Sequence, residues 1–223
     1  MERVGRKGNI REINSEISRK TALKEASHVL LKGGVVAFPT ESFYGLAVDV
    51  RNKEAIEKLF SLKQRDRNNP MLMLLPEVED LKNYVADIPE QANKLIKAFW
   101  PGGLTIVFRA GRGISPLLTA DTGKIGVRFS SHPVAADLAR SIGRPITGTS
   151  ANLSGRPPCI NADMVYDSFG ESIDLILDNG PTAGGKGSTI LDVTVDPFVV
   201  IREGMVLKKD IGDVILFNPV ALS

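Results

Sequence analysis

Apolar residues recur along this chain with two periods. A period near 3.6 marks helices. Ala22, Leu23, Ala26, Val29 and Leu30 form one stripe over 21–32, closed by Gly33-Gly34, and Ala55, Ile56, Leu59 and Phe60 form another over 53–62. Segments 81–85, 91–99, 134–142 and Ala162–Phe169 carry further helical patterns, the third of them opened by Pro133. Short apolar runs predict strands at 35–38, 46–50, 71–75, 104–108, 125–129, 145–149, 173–177, 189–193 and Val199–Arg202. Trp100-Pro101-Gly102-Gly103 predicts a turn. Strands alternate with helices until the last three, which follow one another with no helix between. That order predicts an α/β single domain built on a twisted mixed sheet with helices. No internal repeat, low-complexity tract or linker divides it.

The ends read differently. Residues 1–19 mix Arg3, Arg6, Lys7, Arg11 and Arg19 with three glutamates and few apolar positions, which predicts a mobile basic tail with a short helical piece. Residues 20–207 form the body, and 208–223 a C-terminal tail. Over 223 residues, 28 Lys and Arg stand against 26 Asp and Glu, too even a balance to announce a nucleic-acid binder. The single cysteine, Cys159, excludes an internal disulfide and fits a reducing compartment. No apolar run approaches a membrane span, and the N-terminus lacks the apolar centre of a signal peptide. A cytoplasmic protein without a membrane partner is expected.

Standard chemical signatures are weak. Gly180-Pro181-Thr182-Ala183-Gly184-Gly185-Lys186 opens like a P-loop, but Gly187 stands where a Ser or Thr would bind metal, and a strand follows instead of a helix. Nothing places His28 or His132 beside Cys159, and the chain has too few Cys and His for a zinc site. Polar clusters at strand ends remain, where ligands of α/β sheets gather. They are Thr40 and Ser42 after the 35–38 strand, Lys63 and Arg65 before 71–75, and Arg128 ending 125–129. Ser150 and Asn152 follow 145–149, Ser188 precedes 189–193, and Arg202 ends Val199–Arg202. Lys63 and Arg65, two apart, share a side if that segment is extended, and both lie outside the apolar stripe of 53–62. Cations, hydroxyls and an amide without an acid–base pair suit a polyanion held by positioning and electrostatics.

The ordered set resembles one family. It comprises Pro39-Thr40-Glu41-Ser42-Phe43-Tyr44-Gly45-Leu46, Lys63-x-Arg65 with Asn69-Pro70, Trp100-Pro101-Gly102, Val127-Arg128 with His132-Pro133, Ser150-Ala151-Asn152-Leu153-Ser154-Gly155, and Ser188-Thr189-Ile190-Leu191-Asp192. In this order the motifs are similar to those of the YrdC-like threonylcarbamoyl-AMP synthases, from about residue 21 to 203. The resemblance implies a twisted α/β sheet whose concave, basic face holds ATP and L-threonine. It implies that threonine and bicarbonate or CO2 form a carbamate, which attacks the ATP α-phosphate and releases pyrophosphate. A partner transferase would then pass the threonylcarbamoyl group to a tRNA adenosine beside the anticodon.

By motif, Lys63, Arg65 and Asn69 would hold the triphosphate or nucleotide, Ser150 and Asn152 the α-phosphate, and Arg202 the nucleotide. Thr40, Ser42, Arg128 and Ser188 would hold threonine, with Mg2+ on the ATP phosphates. Three positions depart from the pattern: Ser42 where members often carry Thr, Leu74 where many carry a polar residue, and Lys124 where a small hydroxyl is common. Leu74 is expected to offer threonine an apolar contact. Two other classes fit parts of the chain. One is a carbamoyl-adenylate-forming sibling, and the other is a module that binds tRNA or ribosomal RNA without catalysis; tRNA or double-stranded RNA is also counted among the partners the chain could take.

Overall fold

In the computed structural model, which describes residues 8–215, several helices begin where the sequence supplies a capping side chain. Ser15 accepts the Ser18 N–H to open α1 (Glu16–Leu31), and Asn52 accepts the Ala55 N–H at 2.9 Å to open α2 (Lys53–Lys63). α3 (Glu90–Phe99) and the short α4 (Pro116–Thr119) follow. Pro133 is the first residue of α5 (Pro133–Ile142), Asn161 caps α6 (Ala162–Phe169), and α7 is Lys208–Gly212. The 81–85 helix is a 3-10 turn, Val78–Asn83.

The strands are β1 (Ile10–Glu12), β2 (Val36–Pro39), β3 (Tyr44–Ala47), β4 (Met73–Leu74), β5 (Leu104–Arg109) and β6 (Lys124–Arg128). Next come β7 (Ile146–Thr147), β8 (Thr149–Ser150), β9 (Leu175–Asp178), β10 (Thr189–Asp192) and β11 (Val199–Arg202). They form two mixed sheets where the sequence predicts one. The first has the order β1-β9-β2-β3-β8 and the second β11-β10-β5-β6-β4-β7. The 145–149 run splits at Gly148. β7 pairs with β4 in the second sheet, while β8 pairs with β3 in the first.

Described parts of both segments expected as tails are built into the fold. Residues 10–12 pair with β9 in parallel register, Ile10 opposite Ile176, and α1 starts at Glu16. At the other end Ile211 is fully buried in the main core beside Ile215. Residues 1–7 and 216–223 lie outside the described ones.

Two apolar cores hold the sheets. α1 and α5 cover the first sheet, closing Ala26, Leu30, Leu138 and Ala139 over Phe38 and Leu177. The larger core takes Leu59 and Phe60 of α2 and Leu95 of α3 against Ile106, Phe108 and Val127. Each such side chain contributes about 1.5–3 kcal/mol when fully buried. No helix among the described residues is long and apolar enough to cross a membrane.

Candidate active site

The strand pleat decides which side chains face away from the main core. In β6, Ile125 and Val127 are fully buried in that core. Lys124, Gly126 and Arg128 therefore turn to the other face. Thr105 and Val107 of β5 join them there, as do Ile190 and Asp192 of β10, with Ser188 just before. The Thr40–Gly45 turn, Thr149 and Ser150 of β8, and the segment running from Arg65 to Leu72 complete the wall. Together they line a cavity of about 820 Å³.

Eight of the ten site residues expected from the sequence line this cavity: Thr40, Ser42, Arg65, Asn69, Arg128, Ser150, Ser188 and Arg202. Arg128 is deeply set, with a side chain 6% exposed. Its Nη2 lies 3.5 Å from Glu41 Oε2, and its buried Nε has no hydrogen-bond partner. Burial pulls the Arg128 guanidinium below the ordinary arginine range, Glu41 opposes that fall, and nearby Arg202 adds to it. Arg65 Nη2 donates to Pro70 O at 2.8 Å, and Arg202 Nη2 donates to Ser188 O at 2.8 Å. Both arginines are thus aimed by backbone carbonyls. Ser188 Oγ accepts from Thr105 Oγ1 at 2.9 Å, and Thr40 Oγ1 donates to Phe43 O within its own turn.

Lys63 and Asn152 are placed differently. Lys63 is the last residue of α2 and only 1% exposed, not outside the buried face as the stripe suggested. Its Nζ donates to the carbonyls of Ser150 and Asn152, the latter at 2.7 Å. Gln64, left-handed at φ 52°, then reverses the chain, so Lys63 and Arg65 do not share an extended segment. Burial first, and Arg65 second, bring the Lys63 ammonium down to about 8. Asn152 accepts the Ser150 hydroxyl and donates to Leu153 O and Arg156 O. Lys63 and Asn152 therefore shape the 150–156 loop, and of that loop Ser150 reaches the cavity.

Leu74 also departs from expectation. It is buried in the core under α1 and α5, and Leu72 is the residue that lines the cavity. Lys124 does face the cavity, paired with Asp192 at 2.8 Å. Sequence reasoning missed Thr105, Thr122, Asp192 and Glu41. Thr105 and Asp192 break the apolar runs of β5 and β10 at alternate positions, which is a legible signal. Among the described residues no group of three or more His, Cys, Asp or Glu could hold a metal ion. The glycine loop before Ser188 rests on the Thr40 turn through Gly184 N–H donating to Ser42 O at 2.7 Å.

The Sua5, YciO and YrdC family model, described as telomere recombination, matches residues 28–204. A threonylcarbamoyl-AMP synthase of Bacillus subtilis is 35% identical over 206 residues, 92% of this chain and 60% of the relative. One of Photobacterium profundum is 37% identical over 185 residues, 82% of this chain and 98% of the relative. The crystal structure of P. abyssi Sua5 complexed with L-threonine superposes with a TM-score of 0.89 at 33% identity, covering 92% of this chain and 60% of that one. This chain thus spans about three-fifths of the longer relatives and nearly all of the shorter one.

Proposed function

Because the chain belongs to the Sua5, YciO and YrdC family, we propose that it is an L-threonylcarbamoyladenylate synthase. The observation that carries this reading is a nearly buried guanidinium, Arg128, set in the wall of a cavity large enough for substrates. A buried donor set of this kind calls for an oxyanion, and the planar fork of arginine matches an α-carboxylate. The threonine relative and the synthase names support threonine as that ligand.

Threonine's amino group, as the free amine, first adds to CO2 and releases a proton to solvent, giving an N-carbamate. A carbamate oxygen then attacks the ATP α-phosphorus. The new P–O bond forms as the bond to the β-phosphate bridging oxygen breaks, and pyrophosphate leaves with the electron pair. Arg65, Asn69 and Arg202 hold the nucleotide and its phosphates, and Ser150 stands at the α-phosphate on the loop that Lys63 and Asn152 fix. Arg128, with Thr40, Ser42 and Ser188, orients threonine. Magnesium enters on ATP as part of the substrate, with phosphate oxygens as its ligands. The product, threonylcarbamoyl-AMP, serves a partner transferase that modifies tRNA in the cytoplasm.

The test is pyrophosphate release from Mg–ATP with bicarbonate, in the absence of RNA. It should require threonine, with serine used about 10–200-fold less well for want of one methyl. Arg128→Lys should raise the threonine requirement and leave ATP affinity nearly intact. Release independent of any amino acid would favour a carbamoyl-transferring sibling, and no release at all would favour an RNA-binding module.

A further inference from the structure

The Thr40–Gly45 turn carries a buried carboxylate with no part in the reaction just described. Glu41 divides its two oxygens between two tasks. Oε1 accepts from Ser130 Oγ at 2.7 Å, from the Ser131 N–H and hydroxyl, and from the His132 N–H at 3.3 Å. These donors fix one oxygen to the start of α5. Oε2 is left buried, without a hydrogen bond, facing Arg128 Nη2 at 3.5 Å. Burial alone would raise the Glu41 carboxyl, but Arg128 and the hydrogen bonds outweigh it and hold it below the ordinary range. The carboxylate is therefore ionised at neutral pH.

We propose that Glu41 is a positioning residue for carboxylate recognition: clamped at Oε1, it presents Oε2 as a fixed counter-charge that holds the Arg128 guanidinium in place at the cavity wall. This deepens the threonine-binding reading above and rests on it. Arg128 makes no side-chain hydrogen bond within the described residues, and Arg202 repels it. The Glu41 charge is then what opposes rotation of the guanidinium away from the ligand. A fixed partner leaves the guanidinium pre-aligned, so the ligand carboxylate meets an arginine that need not reorganise. The same charge also repels that carboxylate, which makes the sign of its effect a decisive observation.

Glu41→Gln keeps the size and one acceptor oxygen for the Ser130–His132 donors, and turns an amide toward Arg128. Threonine binding would be measured by calorimetry with a non-hydrolysable ATP analogue present, beside the Arg128 Nε–H resonance in ¹⁵N-arginine-labelled protein. If Glu41 positions Arg128, threonine affinity should fall at least about tenfold, ATP-analogue affinity should stay within about twofold, and the Nε–H resonance should shift or broaden. Unchanged or tighter threonine binding overturns the proposal, since Glu41 would then be indifferent to the ligand or oppose it. If the wild type binds no threonine, the functional reading fails, and an Nε–H resonance identical in wild type and variant still rejects positioning by Glu41. Should Glu41→Gln not fold, Glu41→Asp keeps the charge but withdraws it by one methylene. Wild-type threonine affinity in Glu41→Asp would then count against the fixed counter-charge.

Discussion

At the scale of single residues, Lys63 shows how far direction matters beyond identity. The sequence marks it as a cation near the nucleotide, and the fold turns that cation onto the carbonyls of Ser150 and Asn152. Removing it leaves two part-buried carbonyls without their donor, at about 1–3 kcal/mol. Lys63→Ala should therefore lower stability as well as turnover, where a solvated helix-end cation would touch neither by more than about 1 kcal/mol. The proton adds a pH signature. Folding brings the ammonium from 10.5 down to about 8, so between those values the unfolded chain holds a proton that the folded chain has released. Stability must then rise with pH across that window, by up to ~1.4 kcal/mol per pH unit, and be flat below it. Urea unfolding of the wild type and Lys63→Met from pH 7 to 10.5 isolates the effect: the wild type should gain on the variant. A constant difference would mean that Lys63 keeps its ordinary proton.

At the scale of elements, the helices were the legible part of the chain. The Ala55–Phe60 stripe, Pro133 and the Ala162–Phe169 pattern each combine local propensity with a cap, and all three appear where the sequence predicts them. Strands short enough to depend on distant partners were not legible in the same way. β1 carries one apolar residue and exists because Asp178 and its neighbours pair with it. β4 is two residues long and begins after Leu72, so the period-2 pattern does not separate Leu72, which lines the cavity, from Leu74, which is buried under α1 and α5. Most site residues were nonetheless found, because motifs at strand ends survive such errors. Gly148 shows the tertiary constraint most directly. A Cβ there would come within 2.5 Å of Leu72 Cδ1 and 2.8 Å of Leu74 Cγ, at the point where the chain leaves one sheet for the other. Gly148→Ala should destabilise the fold by about 1–3 kcal/mol through overpacking. Because β8 carries Ser150, ATP affinity should fall with it. Denaturant melts and ATP titrations check both; a variant stable as wild type would show that the crossover has slack.

At the scale of the whole molecule, the placement of charge outweighs its total. The formal net charge is only +2, which argues against indiscriminate binding of polyanions. Yet the cavity gathers Arg65, Lys124, Arg128 and Arg202 against a single lining carboxylate, Asp192, which Lys124 already neutralises. Glu41 stands behind Arg128, while Arg65 and Arg202 are held by carbonyls alone among the described residues. Two arginines thus remain uncompensated at a concave surface, where low-dielectric walls focus their field. Two proposed ligands should feel that field unequally. ATP brings several negative charges to Arg65 and Arg202 near the opening, within reach of salt. Threonine is a zwitterion whose carboxylate meets a deeply buried, counter-charged Arg128. Raising ionic strength from about 0.05 to 0.5 M shortens the screening length severalfold. ATP affinity should then weaken at least about tenfold, and threonine affinity by less than about threefold, when each is titrated with the other saturating. Inorganic tripolyphosphate should compete with ATP and show the same salt dependence, since the field acts on charge and not on the adenosine. Equal salt sensitivity of threonine and ATP would place both ligands in one exposed field and remove the distinction between a buried carboxylate site and an open phosphate site. Salt-insensitive ATP binding would mean that adenosine contacts, rather than Arg65 and Arg202, carry nucleotide recognition.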